Sequence, residues 1–259
     1  MTSQINMIKF EPDMVRLSEW AYSRNLVKRG GDLGYALHGL LKACFGDLAP
    51  QPFSLQQKRG QAMREDGHSY SLLAYSHATK DQLLAQTQHC SDDAAVEALQ
   101  ARELRHNSMP EKWIVGRTFE FEVRVRPVIR QDADGRRDAT VERDAFLVAC
   151  DCASSDMLVS RQQVYGDWLR KQFSRLGGAK LVQRGDELVT LAAFQRTRIA
   201  RRDKTRKLRE IDGPDATLRG VLEVTDSEAF SGLVERGIGR HRAFGFGMIL
   251  LRPLSTGHV

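Results

Sequence analysis

Three side chains able to manage protons and charge recur at helical spacing in the segment Leu33–Cys44. Tyr35 and His38 are three residues apart, and His38 and Lys42 four, so one helix puts all three on one face. The same wheel puts Leu33, Leu37, Leu40, Leu41 and Cys44 on the other stripe, the one a core takes. An imidazole with a pKa of about 6.5 takes or gives a proton at neutral pH. A phenol orients a hydroxyl or a phosphate oxygen, and an ammonium offsets charge building on a phosphorane. RNA carries its own nucleophile, the 2′-OH, so transesterification needs neither a metal nor a nucleophile from the protein. A plain surface cluster has the same spacing, and spacing alone leaves both readings open.

A second feature is the run RTRIARRDKTRKLRE. Arg196, Arg198, Arg201, Arg202, Lys204, Arg206, Lys207 and Arg209 face only Asp203 and Glu210 within it. Like charges at this density repel unless an anion neutralises them, and an extended polyanion is the natural partner. The bland reading is a solvated face. The third feature is GIGRHRAFGFGMILL near the C-terminus. Gly237, Gly239, Gly245 and Gly247 let the backbone take positive φ and approach a ligand, while Arg240, His241 and Arg242 add charge. A helix C-cap followed by a Gly-rich turn explains the glycines equally well. The loop lacks the Walker A pattern, and it follows a helix rather than a strand, which excludes a dinucleotide fingerprint.

None of the seven histidines has metal-ligand spacing with a carboxylate or cysteine in attendance, and H-E-x-x-H is absent, so no metal and no cofactor are expected. Cys44, Cys90, Cys150 and Cys152 form neither a zinc knuckle nor a disulfide framework. They read as reduced thiols of a cytoplasmic protein, and a strand would let Cys150 and Cys152 face one core.

These groups need elements to hold them. Met7–Phe10, FSLQQK (Phe53–Lys58) and YSLLAY (Tyr70–Tyr75) read as strands, the last two joined by a polar segment with Gly60 and Gly67 as turn residues. A helix is expected over Asp92–Leu104. In Phe119–Ile129, Phe119, Phe121, Val123, Val125 and Ile129 alternate with Glu120, Glu122, Arg124 and Arg126, a strand with one buried face. Past the polar stretch 130–143, Ala145–Ala149 reads as a strand, Val164–Leu176 as a helix, and Leu188–Phe194 and Leu218–Val224 as strands. Thr225 or Asp226 caps a helix that Gly237 stops, and Met248–Leu251 closes as a strand. The repeated order strand, helix, strand, strand, helix, strand predicts an α+β chain of two tandem ferredoxin-like (βαββαβ) domains. The expected boundaries are 1–130 for the domain with the catalytic helix, 131–143 for a linker, and 144–259 for the domain with the basic run and the Gly-rich loop.

Composition agrees with this. A length of 259 residues suits two domains, and 41% apolar with 28% charged residues excludes a mostly disordered chain. No window approaches the ~18 apolar residues of a membrane span, and MTSQINMIKFEPD has no signal-peptide core, which argues against secretion. The net charge of +6 is weak evidence for nucleic acid; the clustering of cations says more.

The residues Y-A-L-H-G-L (Tyr35–Leu40), DWLRKQFSRLGG (Asp167–Gly178) and above all LRGVLEVTD and LVERGIGRHRAFGFGMILLRPL within Leu218–Leu254 resemble the CasE-type CRISPR repeat endoribonucleases, the crRNA-processing subunits of type I-E Cascade. The resemblance covers nearly the whole chain. It implies metal-independent cleavage of CRISPR repeat RNA at the base of its stem-loop, retention of the product and entry into a complex with other Cascade subunits. It places His38 at the family's catalytic histidine and Tyr35 at its partner tyrosine. Lys42 stands near a basic residue whose spacing is not fixed, and Arg196–Arg209 falls on an arginine-bearing segment that grips the stem. The competing readings are a non-catalytic guide-RNA-binding subunit of the same fold and a single-strand binder using stacked aromatics. Aromatics make up only 7% of residues and none lies in the basic run, which ranks the last reading lowest.

Overall fold

A computed structural model describes residues 4–27, 32–57, 70–132, 140–154, 158–202 and 208–254, with the backbone alone at 131, 132, 140, 201, 202, 208 and 209. Gly60 and Gly67 therefore lie outside the described residues. The chain divides into two compact units. The first is Met1–Glu111 with Arg198–Ile211 and His241–Met248, and the second is Lys112–Thr197, Asp212–Arg240 and Ile249–Val259.

The first unit holds β1 (Asn6–Phe10), α1 (Met14–Ser23), α2 (Gly34–Phe45), β2 (Phe53–Gln57), β3 (Tyr70–Ser76), α3 (Lys80–Gln88), α4 (Asp93–Leu99) and β4 (Arg105–Ser108). Its antiparallel sheet runs β2-β3-β1-β4. Counting strands along the chain, that is the ferredoxin-like order 4-1-3-2 read from the other edge. Side-chain oxygens cap α1, α3 and α4. Asp13 accepts from Val15 N and Arg16 N at α1, Thr79 and Gln82 form a capping box at α3, and Asp92 accepts from Ala95 N at α4. Ile8, Phe10, Phe53, Leu72 and Ala74 supply the sheet's share of the core, and Leu37, Leu40, Leu41 and Cys44 of α2 pack against them.

The second unit holds β5 (Thr118–Val125), a hairpin of β6 (Val128–Asp132) and β7 (Thr140–Asp144), α5 (Ala145–Cys152), α6 (Arg161–Leu176), β8 (Ala179–Val182), most of β9 (Thr190–Arg202) and β10 (Leu208–Val224), α7 (Ser227–Arg236) and β11 (Ile249–Pro253). Its sheet runs β11-β5-β10-β8, with β9 paired to β10, again the 4-1-3-2 order. β5 alternates as expected, and its Phe121 ring packs on Phe173 of α6 with centroids 5.9 Å apart.

Several expectations change. The boundary at residue 130 is wrong: β5 opens the second unit, between β11 and β10, because its apolar face belongs to that core. The fourth strand of the first unit is β4, whose residues Arg105–Ser108 are all exposed. The stretch 131–143 is not a plain linker, since its described ends pair as β6 and β7. Ala145–Ala149 is helical, not extended, because Asp144 caps it by accepting from Phe146 N. Cys150 and Cys152 are thus exposed on α5 rather than facing a core. The helix from Asp92 ends at Leu99, where Gln100 turns left-handed at φ 54°. Arg198–Ile211 and His241–Met248, assigned from sequence to the C-terminal domain, group with the first unit. Among the described residues no helix is long and apolar enough to cross a membrane.

Candidate active site

Helix α2 presents the face that spacing defines. Its apolar stripe is buried, while Tyr35 and His38 are half-buried and Lys42 is exposed. Half-burial comes from a single 3-10 turn, Arg242–Phe244, that packs on α2. The Phe244 ring is the centre of this contact. Tyr35 lies 5.8 Å from its centroid, and His38 meets it edge-on at 5.8 Å and 86°. His241 stacks on Phe244 at 6.2 Å, in a left-handed conformation of φ 61°. The close approach depends on Gly34 in the first turn of α2. A Cβ there would stand 2.1 Å from the Phe244 carbonyl oxygen. Asp32 accepts from Gly34 N at 2.8 Å and fixes the start of the helix.

The His38 ring has one hydrogen-bond partner among the described residues, Gln51, whose amide nitrogen Nε2 stands 3.3 Å from Nδ1. Burial holds the imidazole pKa below its ordinary 6.5, and the Lys42 charge lowers it further. His38 is therefore neutral at pH 7. Lys42 itself turns toward the end of its helix: Nζ donates to Gly46 O at 3.0 Å and lies 3.8 Å from Asp47. The structure thus joins Tyr35, His38 and His241 around one ring, and it holds Lys42 one turn away.

The cationic candidates divide. Arg198 is exposed, and its carbonyl accepts from Asp32 N at 3.4 Å. Arg196 is exposed but already paired, 2.5 Å from Asp212 of β10. Arg240 pairs with Glu142. The side chains of Arg201, Arg202 and Arg209 and the residues Lys204, Arg206 and Lys207 lie outside the described residues. All four loop glycines have positive φ, from 68° to 81°. Gly237 is a helix C-cap, its N–H donating to Leu233 O, which is the bland reading of that position. Gly239 passes against Trp168, where a Cβ would sit 3.0 Å from the indole. Among the described residues no cluster of three or more His, Cys, Asp or Glu could hold a metal ion.

Sequence reasoning missed Gly34, Gln51 and Phe244. Phe244 stands between the C-terminal glycines, and an aromatic just before Gly245 and two residues after Arg242 is the available signal. Gln51 carries no local signal, because its partner lies 13 residues away on another element.

The fold thus consists of two ferredoxin-like units, the first of which carries a histidine helix covered by a Gly-rich turn. The family model for "CRISPR associated protein" matches residues 7–253, and the chain belongs to that family. No curated protein matches it by sequence. Among solved structures it is similar to CRISPR endoribonuclease Cse3 bound to a 19-nucleotide RNA, at 15% identity and TM-score 0.62 over 98% of this chain and 100% of that one. It is also similar to Thermus thermophilus Cse3 bound to an RNA representing a pre-cleavage complex, at 14% identity and TM-score 0.59 over 96% and 100%. Cas6e from Escherichia coli K-12 aligns at 17% identity and TM-score 0.52 over 96% and 100%. At these identities the likeness establishes the fold.

Proposed function

We propose that the chain is a metal-independent endoribonuclease that cleaves CRISPR repeat RNA at the base of its stem-loop, in the cytoplasm, and stays with its product among other Cascade subunits. The observation that carries the reading is the packing of Tyr35 and His38, both half-buried, on the Phe244 ring, where burial lowers the imidazole pKa. A neutral imidazole takes the 2′-OH proton as the 2′-oxygen attacks the adjacent phosphorus. The P–O5′ bond breaks and the imidazolium, directly or through water, returns a proton to the departing 5′-oxygen, leaving a 2′,3′-cyclic phosphate and a 5′-OH. The Tyr35 phenol donates to a phosphate oxygen, and Lys42 adds positive potential to the site. The cations of Arg196–Arg209 grip the stem through its phosphates, since the A-form groove is read mostly by shape. Family membership supports a CRISPR role, and the structural relatives, a CRISPR endoribonuclease bound to RNA and a subunit of a CRISPR RNA-guided surveillance complex, support substrate and assembly.

The test is incubation with the repeat RNA in EDTA, with end-group analysis of the fragments. The expected products carry a 5′-OH, and a 2′-deoxy substitution at the scissile nucleotide blocks cutting but not binding. His38→Ala should lower the single-turnover rate by roughly 10²–10⁴-fold with binding unchanged. A 5′-phosphate product, or an equally active His38→Ala protein, refutes the mechanism. Tight binding with no cleavage by the wild type makes the chain a guide-RNA holder instead.

A further inference from the structure

We infer that Gln51 is a positioning residue for this reaction: with its side-chain amide turned so that Oε1 faces Nδ1, it holds the His38 ring protonated there and leaves the ring's Nε2 as the atom that takes the proton. The inference rests on the reading of His38 as the general base.

Gln51 is well placed to hold a ring still. Its N–H donates to Tyr75 O at 2.8 Å, and Tyr75 N–H donates back to Pro52 O at 3.0 Å. Tyr75 is 1% exposed, so the anchor sits on a buried part of β3. The amide nitrogen Nε2 then stands 3.3 Å from Nδ1 of His38 on α2, and a half-turn about the last side-chain bond brings Oε1 to the same place. Phe244 meets the same ring edge-on, so contacts from β2's entry and from the 242–244 turn both restrict it. Among the described residues no hydrogen bond reaches Nε2.

The chemistry selects which end of the amide serves. A neutral imidazole has one N–H and one lone pair. For Nε2 to accept a proton, Nδ1 must carry the hydrogen, and its partner must be an acceptor. The Gln51 amide offers Oε1 or N–H by rotating about its last bond. After proton uptake the imidazolium carries hydrogen on both nitrogens, so Oε1 remains a good partner while an amide N–H is repelled. The carbonyl orientation therefore serves the ring before and after transfer, as the carbonyl or carboxylate partner of many working histidines does. The charged and titratable groups around the ring are Tyr35 and Lys42 on its own helix, His241 and Arg242 on the packed turn, and Asp32 and Asp47 at the two ends of α2. Gln51 is the group hydrogen-bonded to the ring nitrogen.

The experiment is nitrogen-15 NMR of the histidine rings in the full chain, with cleavage assayed in parallel. The wild-type His38 ring is expected with hydrogen on Nδ1 above its pKa. Gln51→Met should shift the ring toward the Nε2–H tautomer and lower the single-turnover rate by about 10–100-fold, without raising the RNA concentration needed for half-saturation. Gln51→Glu should keep the Nδ1–H tautomer, raise the His38 pKa and move the acid limb of the pH–rate profile to higher pH. A wild-type ring protonated on Nε2, a Gln51→Met ring unchanged in tautomer, or a Gln51→Glu protein with an unmoved His38 titration overturns the inference. Failure of the general-base reading shows elsewhere, as undiminished cleavage by His38→Ala.

Discussion

Replacing Gly34 with alanine adds one methyl group at the most crowded point of the candidate site. The new Cβ would lie 2.1 Å from Phe244 O, 2.8 Å from Phe244 C and 2.6 Å from the Asp32 carboxylate. Asp32 can swing aside, at the loss of its bond to Gly34 N, but a backbone carbonyl cannot. To reach ordinary contact the gap must open from 2.1 Å to 3.4 Å, so helix and turn separate by about 1.3 Å. Phe244 then no longer holds Tyr35 and His38 at 5.8 Å. Misplacement by about 1 Å costs on the order of 10²-fold in rate, and overpacking costs about 1–3 kcal/mol in stability. The control is Gly39→Ala on the same helix, where the nearest atoms are Leu26 Cδ1 at 3.4 Å and Trp20 Cη2 at 3.6 Å. There alanine fits and should stabilise by about 0.5–1 kcal/mol through helix propensity, with cleavage intact. Single-turnover cleavage and thermal unfolding of both variants decide the question. A Gly34→Ala protein that cuts at the wild-type rate and melts no lower would show that the 242–244 turn does not position the site.

Two other perturbations follow from the same geometry. Lys42→Met removes a like charge from His38, so the imidazole pKa rises toward 6.5 and the acid limb of the pH–rate profile moves up; an unmoved limb would leave burial as the sole cause. Because the folded-state pKa is depressed, the unfolded chain takes the proton first as pH falls through about 6.5, so His38 makes the fold less stable below that pH, and Lys42→Met should reduce this loss in melts across pH 5–7. Asp212→Asn frees Arg196 for RNA, so binding should tighten and the plot of log K against log[salt] should steepen by roughly 0.7–0.9; an unchanged slope would place Arg196 off the RNA path.

How far the sequence reached depends on what each residue pattern encodes. The two faces of α2 and the alternation of β5 were legible because burial and side-chain period coincide there. β4 was not, since a strand with all four residues exposed has no alternation to read. A period also names the type of an element but not its partners. β5 was therefore recognised as a strand yet assigned to the wrong sheet, its neighbours β10 and β11 lying far downstream. The apolar run Ala145–Ala149 suited strand and helix alike, and Asp144 as an N-cap decided it. At the site, groups with intrinsic chemistry stood out in the sequence. Those that act through a long-range contact, Gln51 on the ring nitrogen and Asp212 on Arg196, did not.

The grouping of His241–Met248 with the first unit has a consequence for how this protein is born. Phe244 is synthesised well after His38. About two hundred residues separate them, and at ~5–20 residues per second the helix waits on the order of 10–40 s for its roof. During that interval the imidazole lacks its edge-on aromatic neighbour, and Gly34 lies against no carbonyl. A nascent chain therefore cannot complete this contact until residue 244 has been made. The order of synthesis thus makes the closing of α2 by the 242–244 turn a late event in the folding of the first unit.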